Sequence, residues 1–259
     1  MGCLIDSPFL LCYNKQRLKI HRIVGDLMEY TYQYSDECWF KDKCPRQKSV
    51  GCDSSCPTRS EFDYLINTSN IPDEFKKKKI LYPEEVDLEA FNTLKDIQLD
   101  IENFTEQGRI LYLWGSNVGT GKSSWATKIM NTLLAVKCYG NGYKDLAWFE
   151  YAPSFVLMAK EFKSDERMEH IKNLSERQLC IIDDIGAVSP SNYDMSVLSS
   201  VIDNRYSKGL ATIYTSNISP ENLELLLGAR IADRILSDIV IELKGTGRRQ
   251  STSTYQRKE

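Results

Sequence analysis

The sequence predicts an α/β fold built on a parallel sheet. Three observations carry the prediction. A short apolar run, RILYLW, passes through a glycine-rich turn into a helical pattern that begins at Lys122. A second apolar run, LCIIDD, ends in a pair of aspartates, and a third, ATIYTSN, ends in a polar triplet. Short buried strands that alternate with helical stretches are the pattern of a parallel sheet covered on both faces. With 259 residues, 42% of them apolar, the chain can hold one α/β domain and a small additional module.

Charge and hydropathy exclude some classes. The formal net charge is −3, so nucleic acid would have to be held by a local basic patch and not by the field of the whole chain. No apolar run approaches the roughly 18 residues of a membrane span. The start, MGCLIDS, places Asp6 where a myristoylation signal requires Ser or Thr. No secretory leader pattern is present, so a cytoplasmic setting with reduced cysteines is expected.

Cysteine use divides the chain. Residues 1–60 carry Cys38, Cys44, Cys52 and Cys56 in the spacing C-x5-C-x7-C-x3-C. Four close thiols in a reducing compartment point to a metal, and tetrahedral zinc is the leading reading. An iron–sulfur cluster and free thiols remain open. A zinc site would also stabilise a module too small to fold on an apolar core alone. Ile20, Ile23, Val24, Leu27 and Met28 form a helical stripe ahead of the cysteines, suited to packing on this module or to docking a partner. Residues 61–85 read as a linker that includes the lysine run 76–79, and residues 86–259 as the α/β domain.

The chemistry lies in the second region. The turn GSNVGTGKS places Gly119, Thr120, Gly121, Lys122, Ser123 and Ser124 at the start of a helix. Backbone N–H groups and the helix N-terminus together bind anions, Lys122 would reach β- and γ-phosphates, and Ser123 would ligate magnesium. The front of the turn is one residue longer than the usual phosphate loop: Ser116 stands where a glycine is expected, and Gly115 comes one step early. Asp183 and Asp184 end a buried strand, where the first would hold magnesium and the second would orient an attacking water. Asn217 ends the third strand and could contact both the acids and a γ-phosphate. Arg230 and Arg234, four residues apart, share one helix face. They could ion-pair with Asp233 or Asp238, or be offered to a neighbouring subunit's phosphates.

In this order GTGKS, LCIIDDIG, IYTSN, LGARIADRIL and GTGRR resemble the replicative-helicase loaders of the DnaC/DnaI type, which are AAA+ ATPases, with IstB-type transposition helpers as relatives. The likeness runs over residues 70–250, with LINTSNIPDEF similar to the segment that leads into the ATPase domain. The cysteine-bearing front looks like the helicase-binding module of the DnaI-like branch, in a phage or mobile-element member. The resemblance implies an AAA+ domain with a five-stranded parallel sheet, ATP and magnesium as cofactors, and a structural zinc. It implies a hexameric replicative helicase and single-stranded DNA as partners, and an ATP-dependent oligomer.

Residue by residue, it carries the two Walker motifs onto Lys122, Ser123, Asp183 and Asp184, and the first sensor onto Asn217. The arginine finger falls on Arg234, with Arg230 behind it, and the second sensor on Arg249, with Arg248 as competitor. Three departures stand out: the longer loop, an aspartate at 184 where many AAA+ proteins use glutamate, and a tail too short for a helical lid. Two rival readings share the same motifs, a transposition helper acting on duplex DNA and a non-hydrolysing helicase adaptor.

Overall fold

The computed structural model describes residues 56–76, 83–138, 146–161, 164–187 and 192–247. Its centre is a five-stranded sheet in the order β2-β3-β4-β1-β5. The strands are β1 (Ile110–Trp114), β2 (Ala147–Tyr151), β3 (Leu179–Asp183), β4 (Ala211–Ser216) and β5 (Ile239–Glu242). Every pairing in the sheet is parallel. The expected α/β architecture with five parallel strands is therefore present.

Parallel strands need crossover connections, and helices supply them on both faces. α1 (Pro57–Thr68), α2 (Asp73–Lys76), α3 (Leu88–Leu99), α4 (Ile101–Glu106) and α5 (Lys122–Lys137) precede β2. α6 (Ala152–Glu161), α7 (Ser164–Glu176), α8 (Asn192–Ser207), α9 (Pro220–Leu227) and α10 (Ala229–Ile235) follow it. The strand period of two sorts the side chains. Leu111, Leu113, Ile181 and Ile213 face a core shared with α1, α3 and α5. Tyr112, Cys180, Ile182 and Tyr214 face the opposite core, against α6, α8, α9 and α10. Ile129, Met130 and Leu133 of α5 are fully buried, and each contributes about 1.5–3 kcal/mol by leaving water. That burial anchors the helix whose first turn carries Lys122.

Part of the stretch expected as a linker, within residues 61–76, packs into the core. Phe62, Leu65, Ile66 and Ile71 are buried in the first core. Ser69 and Asn70 also bond to edge strand β2: the Phe149 N–H donates to the Ser69 carbonyl at 2.8 Å, and Asn70 Nδ2 donates to the Phe149 carbonyl at 2.9 Å. The i, i+3, i+4 spacing of 62, 65 and 66 marks an amphipathic helix, so this segment docks on the sheet. Cys138 and Cys180 are buried free thiols. The stripe at 20–28, the cysteines at 38, 44 and 52, lysines 77–79 and the basic tail from 248 onward lie outside the described residues. Among the described residues, no helix is long and apolar enough to cross a membrane.

Arg205 is fully buried on α8 and ties three elements together. It donates to the carbonyls of Leu174 (2.7 Å), Arg177 (3.0 Å) and Ala211 (2.5 Å) and to Thr212 Oγ1 (2.9 Å). Replacing it with an apolar side chain would strip buried carbonyls of their donor, at about 1–3 kcal/mol each. Arg205→Leu is therefore expected to cost about 3 kcal/mol or more, read as a lower urea midpoint at an unchanged m-value.

Candidate functional site

A parallel sheet ends all its strands on one edge, and loops at that edge form its binding crevice. Here β4 lies between β1 and β3. The loop after β1, the acids ending β3 and the polar residues ending β4 are therefore neighbours in space, although far apart in the chain.

The turn after β1 is shaped for an anion. Gly121 has φ 101° and leads directly into Lys122, the first residue of α5. This left-handed conformation suits glycine and turns the backbone N–H groups toward the helix N-terminus. Lys122 is buried, and its Nζ donates to the carbonyls of Gly115 (2.8 Å) and Asn117 (3.0 Å) and to Thr120 Oγ1 (3.3 Å). The ammonium thus stands inside the loop it would share with phosphate.

At the longer front of the loop, Ser116, Asn117 and Val118 are exposed. Gly115 itself is fixed by close approach, because a Cβ there would stand 2.2 Å from the Leu243 carbonyl oxygen. The segment after β5 holds the extra residue in place. Asn117 Nδ2 donates to the carbonyls of Lys244 (3.2 Å) and Gly245 (3.0 Å), and Gly247 packs against the Val118 carbonyl. That segment is clamped in turn by two acids from the start of the domain. The Asp87 carboxylate accepts from the N–H groups of Lys244 (2.7 Å) and Gly245 (3.0 Å). Glu84 Oε1 accepts from the Thr246 N–H (2.9 Å) and hydroxyl (2.6 Å).

At the end of β3, Asp183 is 5% exposed. Its Oδ1 accepts from the Thr215 hydroxyl at 2.6 Å. Burial pushes its pKa above the ordinary aspartate value, opposed by hydrogen bonds from Thr215 and Ser123, while the Asp184 charge adds to the rise and the Lys122 charge opposes it. Lys122, Ser123 and Asp183 are therefore assembled in one place. The Asp184 N–H donates to the same Thr215 oxygen at 2.9 Å, and its carboxylate accepts from Asn217 Nδ2 at 3.3 Å. Asn217 thus touches the second acid, as its position at the end of β4 suggests.

Tyr151 ends β2 in register with Asp183. Its phenol is raised by partial burial and by the charges of Asp184 and Asp183. Sequence reasoning missed Thr215, Tyr151, Asn117, Glu84 and Asp87. The triplet TSN was a signal for Thr215, whereas the acid clamp left none.

Arg230 and Arg234 belong to a different cluster. Both pair with Asp203 on α8, Arg230 at 2.9 Å, and the Arg234 guanidinium lies 5.4 Å from the centre of the Tyr206 ring. Of the two partners considered from sequence, Asp238 pairs with Arg109 at 2.5 Å.

The donor set fits a magnesium–phosphate group. Magnesium binds through one or two carboxylate or hydroxyl oxygens and completes its shell with phosphates and water. Asp183 hydrogen-bonded to Ser123 supplies such a pair beside an anion-binding turn. Cys56, one of the four expected zinc ligands, is a free thiol of intermediate exposure at the N-cap of α1. Among the described residues no group of three or more His, Cys, Asp or Glu could hold a metal ion. Arg248 and Arg249 lie outside the described residues.

No family model matches the chain. It is 32% identical over 162 residues to the replicative helicase loader DnaI of Bacillus subtilis, a match covering 57% of this chain and 50% of that protein. It is 29% identical over 147 residues to the replicative helicase loader DnaC of Escherichia coli, covering 56% of this chain and 57% of that protein. The chain thus spans about half the length of the curated relatives it matches.

Among solved structures, a Streptococcus pyogenes protein described as a primosome component superposes with a TM-score of 0.56 at 25% identity, over 72% of this chain and 98% of that one. The crystal structure of DnaI gives 0.54 at 23% identity, over 69% and 94%. Replication initiator DnaA bound to AMPPCP and single-stranded DNA gives 0.50 at 19% identity, over 63% and 48%. These superpositions show a shared α/β fold, which in this chain is built on the five-stranded parallel sheet.

The raised pKa of Asp183 has a thermodynamic sign. An acid whose pKa is higher in the folded state contributes stability that is fully present below its unfolded value, about 3.9, and lost as pH rises through the folded value. Asp183→Asn keeps an oxygen for Thr215 and removes the buried charge. Its urea midpoint is expected to exceed that of the wild type at pH 7. The difference should shrink as pH falls toward about 4.

Proposed function

We propose that this chain, a relative of the DnaC/DnaI-type replicative helicase loaders, is an ATP-dependent loader that places a hexameric replicative helicase on single-stranded DNA. The supporting observation is the convergence of Lys122, Ser123, Asp183, Asp184 and Asn217 at one edge of the sheet, in a domain whose curated relatives are loaders.

Each residue has a role in this reading. The N–H groups from Gly119 to Ser124, Thr120 among them, cradle the phosphates, and Lys122 exchanges its carbonyl partners for β- and γ-oxygens. Ser123 and Asp183 hold magnesium, which when bound would neutralise charge on the phosphates. Asp184 accepts a hydrogen bond from the attacking water and orients it. Asn217, already on Asp184, couples that acid to the γ-phosphate. Arg249, or Arg248, contributes from the tail as second sensor.

Nucleotide binding would favour an oligomer in which one copy completes the site of the next. Residues 1–60, with zinc on Cys38, Cys44, Cys52 and Cys56, would dock on the helicase. Basic residues of the tail and of the lysine run 76–79 would grip DNA phosphates, and hydrolysis would release the loader. The setting is the cytoplasm of a bacterial host, in a phage or mobile-element context.

Two measurements test this reading. Lys122→Ala should weaken ATP binding by at least about a hundredfold, or about 2.7 kcal/mol. Unchanged affinity would remove the nucleotide site. The full chain should also be retained by an immobilised replicative helicase, and a Cys44→Ser, Cys52→Ser variant should not. If both bind helicase equally, docking does not go through the cysteine module.

A further inference from the structure

We propose that Asp87 is a positioning residue for the nucleotide site: by holding the peptide group between Lys244 and Gly245 it keeps the front of the glycine turn, through Asn117, in the shape that receives phosphate. The inference rests on the ATP-site reading above.

One peptide group is gripped from both sides. Its N–H, that of Gly245, donates to Asp87 Oδ2 at 3.0 Å. Its C=O, that of Lys244, accepts from Asn117 Nδ2 at 3.2 Å. In a planar trans peptide these two groups point in opposite directions, so rotating the unit breaks both bonds. The N–H before it donates to Asp87 Oδ1 at 2.7 Å, and the carbonyl after it accepts from Asn117 Nδ2 at 3.0 Å. A carboxylate that accepts from a peptide N–H also polarises that peptide and makes its carbonyl a better acceptor. Asp87 therefore strengthens the hold on Asn117 as well as orienting it.

The line continues to the lysine of the glycine turn. The Asn117 carbonyl accepts from Lys122 Nζ at 3.0 Å. Asn117 is exposed, so water competes for its amide, and its place depends on partners fixed elsewhere. Those partners are fixed. Asp87 is fully buried, and the Leu243 N–H donates to the Trp114 carbonyl at 2.8 Å. A Cβ on Gly245 would stand 2.5 Å from Asp87 Oδ2, so carboxylate and backbone are packed against each other.

A loop already held in its binding shape takes its ligand more tightly than one that must be ordered when the ligand arrives. Asp87 meets that ordering cost when the domain folds. It lies on the far side of the 244–245 peptide from Asn117, away from the acids that end β3. Its effect is therefore on how tightly nucleotide is held, not on the chemical step.

The test uses the full chain. ATP affinity is titrated directly with magnesium present, turnover is measured at saturating ATP, and urea unfolding reports the fold. Asp87→Asn keeps one acceptor but turns an NH2 group toward an N–H. It should weaken ATP binding by about tenfold, the scale of one lost ordering contribution. Turnover at saturation should stay within about twofold of wild type, as expected when only binding is lost. Asn117→Ala keeps the carbonyl that Lys122 uses, deletes only the amide, and should do the same. The double variant should bind no more weakly than either single one, because both changes cut one line. Gly245→Ala crowds the carboxylate without removing a charge, and should repeat the result where Asp87→Asn does not fold. Wild-type ATP affinity in folded Asp87→Asn or Gly245→Ala would overturn the proposal and leave the ATP site standing. Additive losses in the double variant, or lowered turnover at unchanged affinity, would overturn it in the same way. A wild-type chain that binds no ATP would overturn both.

Discussion

Asp183 ends β3 with 5% of its surface exposed, and burial pushes its pKa above the ordinary aspartate value. An ionised carboxylate in such a place is costly unless hydrogen-bonded and paired. The surroundings answer that cost from two elements. β4 provides the Thr215 hydroxyl, the first turn of α5 provides Ser123, and Lys122 brings a positive charge. Parallel register makes this possible, because Ile182 of β3 pairs with Tyr214 of β4 and the next residues along are Asp183 and Thr215. Thr215 then links both acids, donating to Asp183 Oδ1 and accepting from the Asp184 N–H. In the proposed loader, this acid would stay poorly solvated until a cation and phosphates arrived.

A second constraint concerns the two ends of the domain. β5 comes so close to the start of the glycine turn that no side chain fits at Gly115. The segment after β5 must then run alongside the loop, where its carbonyls engage Asn117 and its N–H groups face Asp87 and Glu84. Two carboxylates from the beginning of the domain therefore fix the shape of a backbone segment near its end. Through Asn117 and Val118 that segment supports the longer front of the loop. The front of the loop is held by this layer, and Gly119 and Gly121 adopt the positive φ that glycine allows.

The motif residues were legible in the sequence because their chemistry is local. A glycine turn before a helix, and acids ending an apolar strand, announce their geometry within a dozen residues. Asn217 was legible for the same reason. The supporting layer was not, because its partners are distant: Asp87 meets residues 157 and 158 positions away, and Glu84 one 162 positions away. Helical spacing showed that Arg230 and Arg234 share a face, but it could not reveal that their acid comes from α8 and not from α10 or the loop after it. Within the stretch expected as a linker, the short apolar stripe of Phe62, Leu65 and Ile66 that packs on the core was hidden among lysines and prolines.

The aspartate at 184 finds its reason in the backbone. Residue 184 has φ 56°, in the left-handed region. Among non-glycine residues, short polar side chains such as Asp and Asn enter that region most readily. The chain must turn there, since Ala187 N–H closes back on the Asp184 carbonyl at 3.0 Å and Gly186 packs tightly against Ser216 and Ile218. A glutamate would meet more resistance from the backbone at this step. The shorter acid relieves it and remains within reach of Asn217. In the proposed site it would give up reach toward the phosphates. In the proposed loader, nucleotide acts as a timer for assembly and release, so slow turnover is compatible with the role and the turn at the end of β3 decides which acid stands there.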